Sequence, residues 1–114
     1  MSDCIFCKIA GNEIPTEKIY ENEFVIAIKD INPVAKVHVL IMPKKHFDNI
    51  LAVDGQDAVY LAEIQKAVLA VAEQTGIANG GFRLINNCGE NGGQTVQHLH
   101  FHLIGGEKLG IKLI

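Results

Sequence analysis

Apolar and polar positions alternate most cleanly over the run His98, Leu99, His100, Phe101, His102, Leu103 and Ile104. Successive side chains on a strand point to opposite faces. The spacing therefore predicts a strand with Leu99, Phe101 and Leu103 turned into a core and three imidazoles together on the other face. Residues 37–42 form a nearly continuous apolar strand, entered by His38 and closed by Pro43. Residues 18–21 and 24–29 read as two strands joined in a hairpin-like connection through Glu21, Asn22 and Glu23. A further strand, residues 82–87, follows Gly80 and Gly81. One long helix is predicted over residues 54–74, with Asp54 as its N-cap, Asp57 three residues on and Gly76 as its stop. On it Val59, Leu61, Ile64, Val68 and Val71 lie broadly on one side, and Glu63, Lys66 and Glu73 elsewhere. A short helix begins at Cys4 and ends by Gly11, with Ser2 or Asp3 as its cap.

A chain of 114 residues makes one domain with one core. Composition, at 48% hydrophobic and 20% charged, is that of an ordinary globular protein. No apolar run approaches the roughly 18 residues of a membrane span. No basic segment followed by an apolar one stands at the N-terminus, and the three cysteines are an odd number. Both features predict a reduced, cytoplasmic protein with no membrane partner. A net charge of −3 and a pI near 5.9 provide no field for a nucleic-acid polymer, although a single nucleotide needs only a local pocket.

Two chemistries suit the three aligned imidazoles. Neutral imidazole is a common metal ligand, and a catalytic zinc takes up to three. Alternatively, one ring serves as nucleophile toward phosphorus while the others donate protons and orient. The upstream stretch, residues 86–95, is rich in Gly, Asn, Gln and Thr. Its backbone N–H groups and small donors favour an anionic phosphoryl group over a bare cation. Cys4 and Cys7 have the Cys-x-x-Cys spacing. Without a preceding strand they do not form a thioredoxin-like pair. They read either as a plain buried pair or as half of a zinc site. Cys88 has no activating base nearby in sequence and reads as a bystander.

The residues from His98 to Ile104 resemble the His-x-His-x-His-x-x signature of the histidine triad (HIT) superfamily, in which x is apolar. Asp30 to Pro33, His38 to His46 and Gly92 to Thr95 are similar to the corresponding segments of its nucleotide-binding branch, in the family's order. The likeness runs from about Cys4 to Gly106. It implies an α+β, HIT-like fold: an antiparallel sheet of about five strands, one long helix and a short N-terminal helix. A single HIT domain then occupies residues 1–114, with its core at about 4–106 and a tail at 107–114. Relatives pair into homodimers through the long helix and an edge strand. The apolar tail is expected to dock near that interface or the mouth of the pocket.

The resemblance also assigns residues. His100 would be the nucleophile toward the α-phosphorus of a purine nucleoside phosphoramidate, releasing a nucleoside monophosphate through a nucleotidyl-histidine intermediate. His102 and Gln94 would hydrogen-bond the phosphoryl oxygens, and Thr95 and His38 would belong to the proton path. Asp30 would hold the ribose hydroxyls, with Ile31 beside it, and Asn87 and Gly93 would lie at the phosphate. Ile5, Phe6, Ile9, Ile28 and Leu40 would form the apolar base pocket. Bacterial relatives resembling this pattern carry zinc, which here would fall on Cys4, Cys7, His46 and His98. Such a zinc is structural, and the chemistry at the phosphate requires none. The rival readings are a metalloenzyme with its ion on His98, His100 and His102, a dinucleoside polyphosphate hydrolase, and a nucleotide-binding or scaffold module with incidental turnover.

Overall fold

The nearly continuous apolar run at residues 37–42 has a simple cause: the strand it forms is covered on both faces. The computed structural model describes residues 3–111. Helix α1 (Ile5–Ala10) is followed by β1 (Tyr20–Glu21), β2 (Val25–Lys29) and β3 (Val37–Pro43), then by helix α2 (Ala58–Thr75), β4 (Phe82–Ile85) and β5 (Phe101–Gly105). The strands form one antiparallel sheet in the order β1-β2-β3-β5-β4. Val25, Ala27, Val39, Ile41 and Leu103 pack on one side with Ile64, Ala67, Val68 and Val71 of α2. Ile26, Ile28, Leu40 and Met42 pack on the other with Phe6 and Ile9 of α1. Each large apolar side chain buried this way contributes about 1.5–3 kcal/mol. Leu40 pairs with His102 across β3 and β5, and directly paired residues share a face. The triad's face is thus the one opposite α2.

Several element ends differ from the sequence expectation. Cys4, rather than Asp3, caps α1, its Sγ accepting the Cys7 N–H at 3.3 Å; Ser2 lies outside the described residues. Asp54 caps a 3₁₀ turn, Gly55–Asp57, by accepting from the Gln56 N–H at 2.9 Å, and α2 begins only at Ala58. Asp57, at the N-terminus of α2, makes no side-chain cap because its carboxylate is drawn to Lys45 at 3.1 Å. The buried stripe of α2 is Glu63, Ile64, Ala67, Val68, Val71 and Ala72, whereas Val59 and Leu61 are exposed. Glu63 tolerates this position because Asn22 Nδ2 and Lys66 Nζ donate to its two oxygens, at 2.8 and 2.9 Å. Gly76, at φ +79°, ends the helix as expected, its N–H reaching the carbonyls of Ala72 and Glu73.

The largest departure is in β5, which starts at Phe101, so His102 alone of the triad is in the strand. Pairing between β3 and β5 stops at Ile41 and Phe101. Upstream of it the chain turns toward Phe47, whose carbonyl takes the Leu99 N–H at 2.7 Å. Residues 107–111 run beside Gly80–Arg83, with Arg83 donating to the Gly110 carbonyl; the last three residues of the expected tail lie outside the described part. No helix among the described residues is long and apolar enough to cross a membrane.

Candidate active site

Each imidazole of the site has one nitrogen tied to a partner of fixed character, and that partner decides where the ring proton sits. His100 Nδ1 lies 2.8 Å from the His98 carbonyl. A carbonyl only accepts, so Nδ1 carries the proton and Nε2 keeps a lone pair. His38 Nδ1 accepts the Val34 N–H at 3.1 Å, so its proton is on Nε2. That nitrogen lies 2.9 Å from His102 Nδ1 and 3.3 Å from Asp30 Oδ2. His102 Nδ1 therefore accepts, and its Nε2 carries a proton. The rings of His100 and His102, 5.2 Å apart between centroids, thus present opposite characters, one a lone pair and the other a donor. Burial, reinforced by His100 and His38 and opposed by Asp30, lowers the pKa of His102 and so favours the neutral ring.

His98 is fully buried and faces another way. Its Nε2 donates to the Pro43 carbonyl at 2.8 Å, which turns Nδ1 toward Cys4 Sγ at 3.3 Å and Cys7 Sγ at 3.5 Å. His46 repeats the arrangement, with Nε2 on Asp48 Oδ1 at 2.8 Å and Nδ1 at 3.3 Å from Cys7 Sγ. The four donor atoms lie within 4.8 Å of one another. Nitrogen and sulfur ligands about 2.0 and 2.3 Å from one tetrahedral centre stand roughly 3.5 Å apart, so this donor set fits zinc. The two outer hydrogen bonds are of the kind that orient histidine ligands. Burial lowers the pKa of His98, as a ligand that must stay neutral requires.

The rings of the triad do not converge on one point. Among the described residues the donor groups that do converge are Cys4, Cys7, His46 and His98, and separately Asp30, His38 and His102. In the second group the Val34 N–H leaves His38 with a proton on the nitrogen that faces the other two, so the three side chains are joined by hydrogen bonds.

Phe6, Ile9, Ile28 and Leu40 pack in one buried cluster, and the Phe6 ring stands 5.1 Å from His100. Ile5, expected with them, is exposed and lines a cleft with Thr95, Cys4, His46 and Asp48. It points away because helical geometry sends residues 5 and 6 about 100° apart. Asp30 Oδ1 accepts the Asn32 N–H at 2.8 Å, and Ile31, at that turn, is 91% exposed.

The glycine-rich loop is more self-contained than its composition implied. The N–H groups of Gly89, Gly93 and Gln94 bond to Gln94 Oε1, the Glu90 carbonyl and the Gly89 carbonyl. Gln94 is buried, and its Nε2 donates to the carbonyls of Asp48 and Val96 at 2.7 and 2.9 Å. Its amide braces the loop and has no proton directed at the rings. A Cβ on Gly92 would meet the Cys88 carbonyl oxygen at 2.6 Å. Gly92→Ala should therefore force the loop apart, lowering stability by about 1–3 kcal/mol; a thermal melt with an unshifted midpoint would refute this. Asn87 is half-buried, while Asn86, beside it, donates to the His100 carbonyl at 3.0 Å. Asn86, Asp48 and the Val34 amide had not been singled out from sequence. Asp48 carried a signal, a carboxylate two residues from His46, but a backbone amide carries none.

The model of the HIT domain matches residues 11–109 of this chain. The chain belongs to the HIT domain family. A HIT family hydrolase from Clostridium thermocellum superposes with a TM-score of 0.96 at 53% identity, over 100% of this chain and 99% of that one. Protein HitA of Neisseria gonorrhoeae is 41% identical over 92% of this chain and 97% of its own length. The purine nucleoside phosphoramidase of Escherichia coli K12 is 40% identical over 95% of this chain and 91% of its own. Among HIT proteins, then, this chain is a near full-length relative of each, with the five-stranded sheet and long helix that its sequence predicted.

Proposed function

We propose that this protein hydrolyses purine nucleoside 5′-phosphoramidates through a covalent intermediate on His100. The observation that carries the reading is the pair of opposite tautomers, a bare Nε2 on His100 beside an Nε2–H on His102. The named activity of the Escherichia coli relative supports the substrate class. His100 Nε2 attacks the α-phosphorus, the P–N bond breaks, and the amine leaves with one added proton. Water then attacks the same phosphorus, the P–Nε2 bond breaks, and a nucleoside monophosphate and a proton are released. The proton consumed in the first half is thus returned in the second. His102 Nε2–H hydrogen-bonds the phosphoryl oxygens as their charge grows, a preorganised donor of the oxyanion-hole kind. His38 holds His102 in the donating tautomer. Asp30 stands beside this relay, where a carboxylate can accept from ribose hydroxyls. The Phe6, Ile9, Ile28 and Leu40 cluster favours a flat apolar base by contact area.

Cys4, Cys7, His46 and His98 would hold a structural zinc, which supplies cross-linking of α1 to the segments around residues 46 and 98. A homodimer is the further expectation. It is supported by the exposed apolar side chains Val59, Leu61 and Leu69 of α2 and Phe82 and Leu84 of β4, an edge strand. The test is rapid mixing with an adenosine 5′-phosphoramidate of a fluorescent amine. The expected result is a burst of amine equal to the enzyme, with a nucleotidyl adduct on the His100 peptide by mass spectrometry. Turnover with no burst and no adduct would overturn the covalent route.

A further inference from the structure

The three residues that carry the nucleophile's geometry are not held by the sheet. Pairing of β5 ends at Phe101 on the β3 side and at His102 on the β4 side. Residues 98–100 lie beyond both ladders, where a backbone would ordinarily be loose. Tertiary bonds fasten them instead, beyond the contacts of His98 with Cys4 and Cys7. The Leu99 N–H donates to the Phe47 carbonyl at 2.7 Å, His98 Nε2 to the Pro43 carbonyl at 2.8 Å, and Asn86 Nδ2 to the His100 carbonyl at 3.0 Å. The first two hold the upstream end. On the far side of His100 the ladder resumes at Phe101, and Asn86 ties down the carbonyl that precedes it.

We infer that Asn86 is a positioning residue for His100, which extends the β4–β5 ladder by one side-chain bond. The inference rests on His100 being the nucleophile. The ring of His100 reaches back two residues to the His98 carbonyl, and this works only while the backbone between residues 98 and 100 keeps its bend. Fixing the His100 carbonyl fixes the peptide plane that follows the ring, so the torsion bringing Nδ1 to its acceptor is set from both ends. The bond of Asn86 goes to the His100 carbonyl and not to its ring. It acts through the main chain.

Two variants separate this role from simple stability. Asn86→Asp keeps the shape and, at neutral pH, has no proton to donate; Asn86→Ala removes the group. Both should lower kcat by about 10–100-fold, the scale of an ångström-sized misplacement, with KM and the thermal midpoint close to wild type. Asn86→Gln, which restores an amide, should recover part of the loss. A second measurement needs no substrate: nitrogen-15 NMR of the His100 ring. Wild type should show the Nδ1–H form, and Asn86→Ala a mixture of tautomers. If both variants keep kcat within twofold, the inference is wrong. It is equally wrong if kcat falls only together with the thermal midpoint while the ring signals stay as in wild type. If wild type turns over no phosphoramidate but its ring signals still respond to Asn86, the positioning role stands and the activity reading fails.

Discussion

His100→Ala should lose turnover by roughly four orders of magnitude or more, as removal of a covalent nucleophile does elsewhere. Nucleoside monophosphate binding should stay within a few-fold of wild type. The two expectations have one source. The Nε2 of His100 is the bare nitrogen of the site, since its Nδ1 proton is committed to the His98 carbonyl. The groups proposed to hold the nucleotide, His102 with His38 and Asp30, are joined by hydrogen bonds in which the lost ring takes no part. A loss of about 5.5 kcal/mol in transition-state stabilisation with nearly unchanged binding marks an interaction made only during reaction. Adding free imidazole to His100→Gly offers a sharper check, because the missing ring leaves space for it beside Phe6. Partial recovery of turnover is expected. A His100→Ala protein that works within tenfold of wild type would remove the nucleophile from the proposal.

The second large effect is on stability. Cys7→Ser should release the zinc and lower the thermal midpoint by roughly 10 °C, about 3 kcal/mol for a domain of this size. The reason is that binding free energy in a structural zinc site is folding free energy. Cys7 is the cleaner choice of the two cysteines. Cys4 Sγ also caps α1, so replacing it mixes two losses, whereas Cys7 enters that cap only through its backbone N–H. Chelation of the wild-type protein should reproduce the same shift. Because His98 offers its ring to the cluster and its carbonyl to His100, kcat should fall with zinc loss as well. The proposal does not survive if protein refolded with zinc holds no stoichiometric metal and Cys7→Ser melts where wild type does.

The sequence was most legible where one side chain is repeated at a fixed spacing. Three histidines at every second position pointed to the reactive segment, and the family resemblance placed Cys4 and Cys7 with His46 and His98, which the fold brings together. The α2 stripe was harder. Its hydrophobic positions are spread around the helix, because Val59, Leu61 and Leu69 are apolar without being buried in this chain. Glu63 was misplaced because nothing in its neighbourhood along the chain reveals Asn22, which lies 41 residues earlier. Gln94 was expected among the phosphate donors, yet the carbonyl of Asp48, 46 residues distant, takes one of its protons. The start of β5 was also set from afar, by where β3 ceases to pair.

The order of residues by itself determined the spacings, and through them most of the strands, the long helix and the candidate chemistry, since side-chain direction along a strand or helix is a local property of the backbone. What only the tertiary structure decided is the proton on each ring. The Val34 amide, the Pro43 and His98 carbonyls and the Asp48 carboxylate leave one imidazole a donor, one with a bare Nε2 and two turned toward sulfur. A tautomer answers to whichever partner packs at the other nitrogen: Pro43 lies 55 residues from His98, and Val34, His98 and Asp48, though within four residues of the rings they hold, meet them only through the bends that the fold imposes.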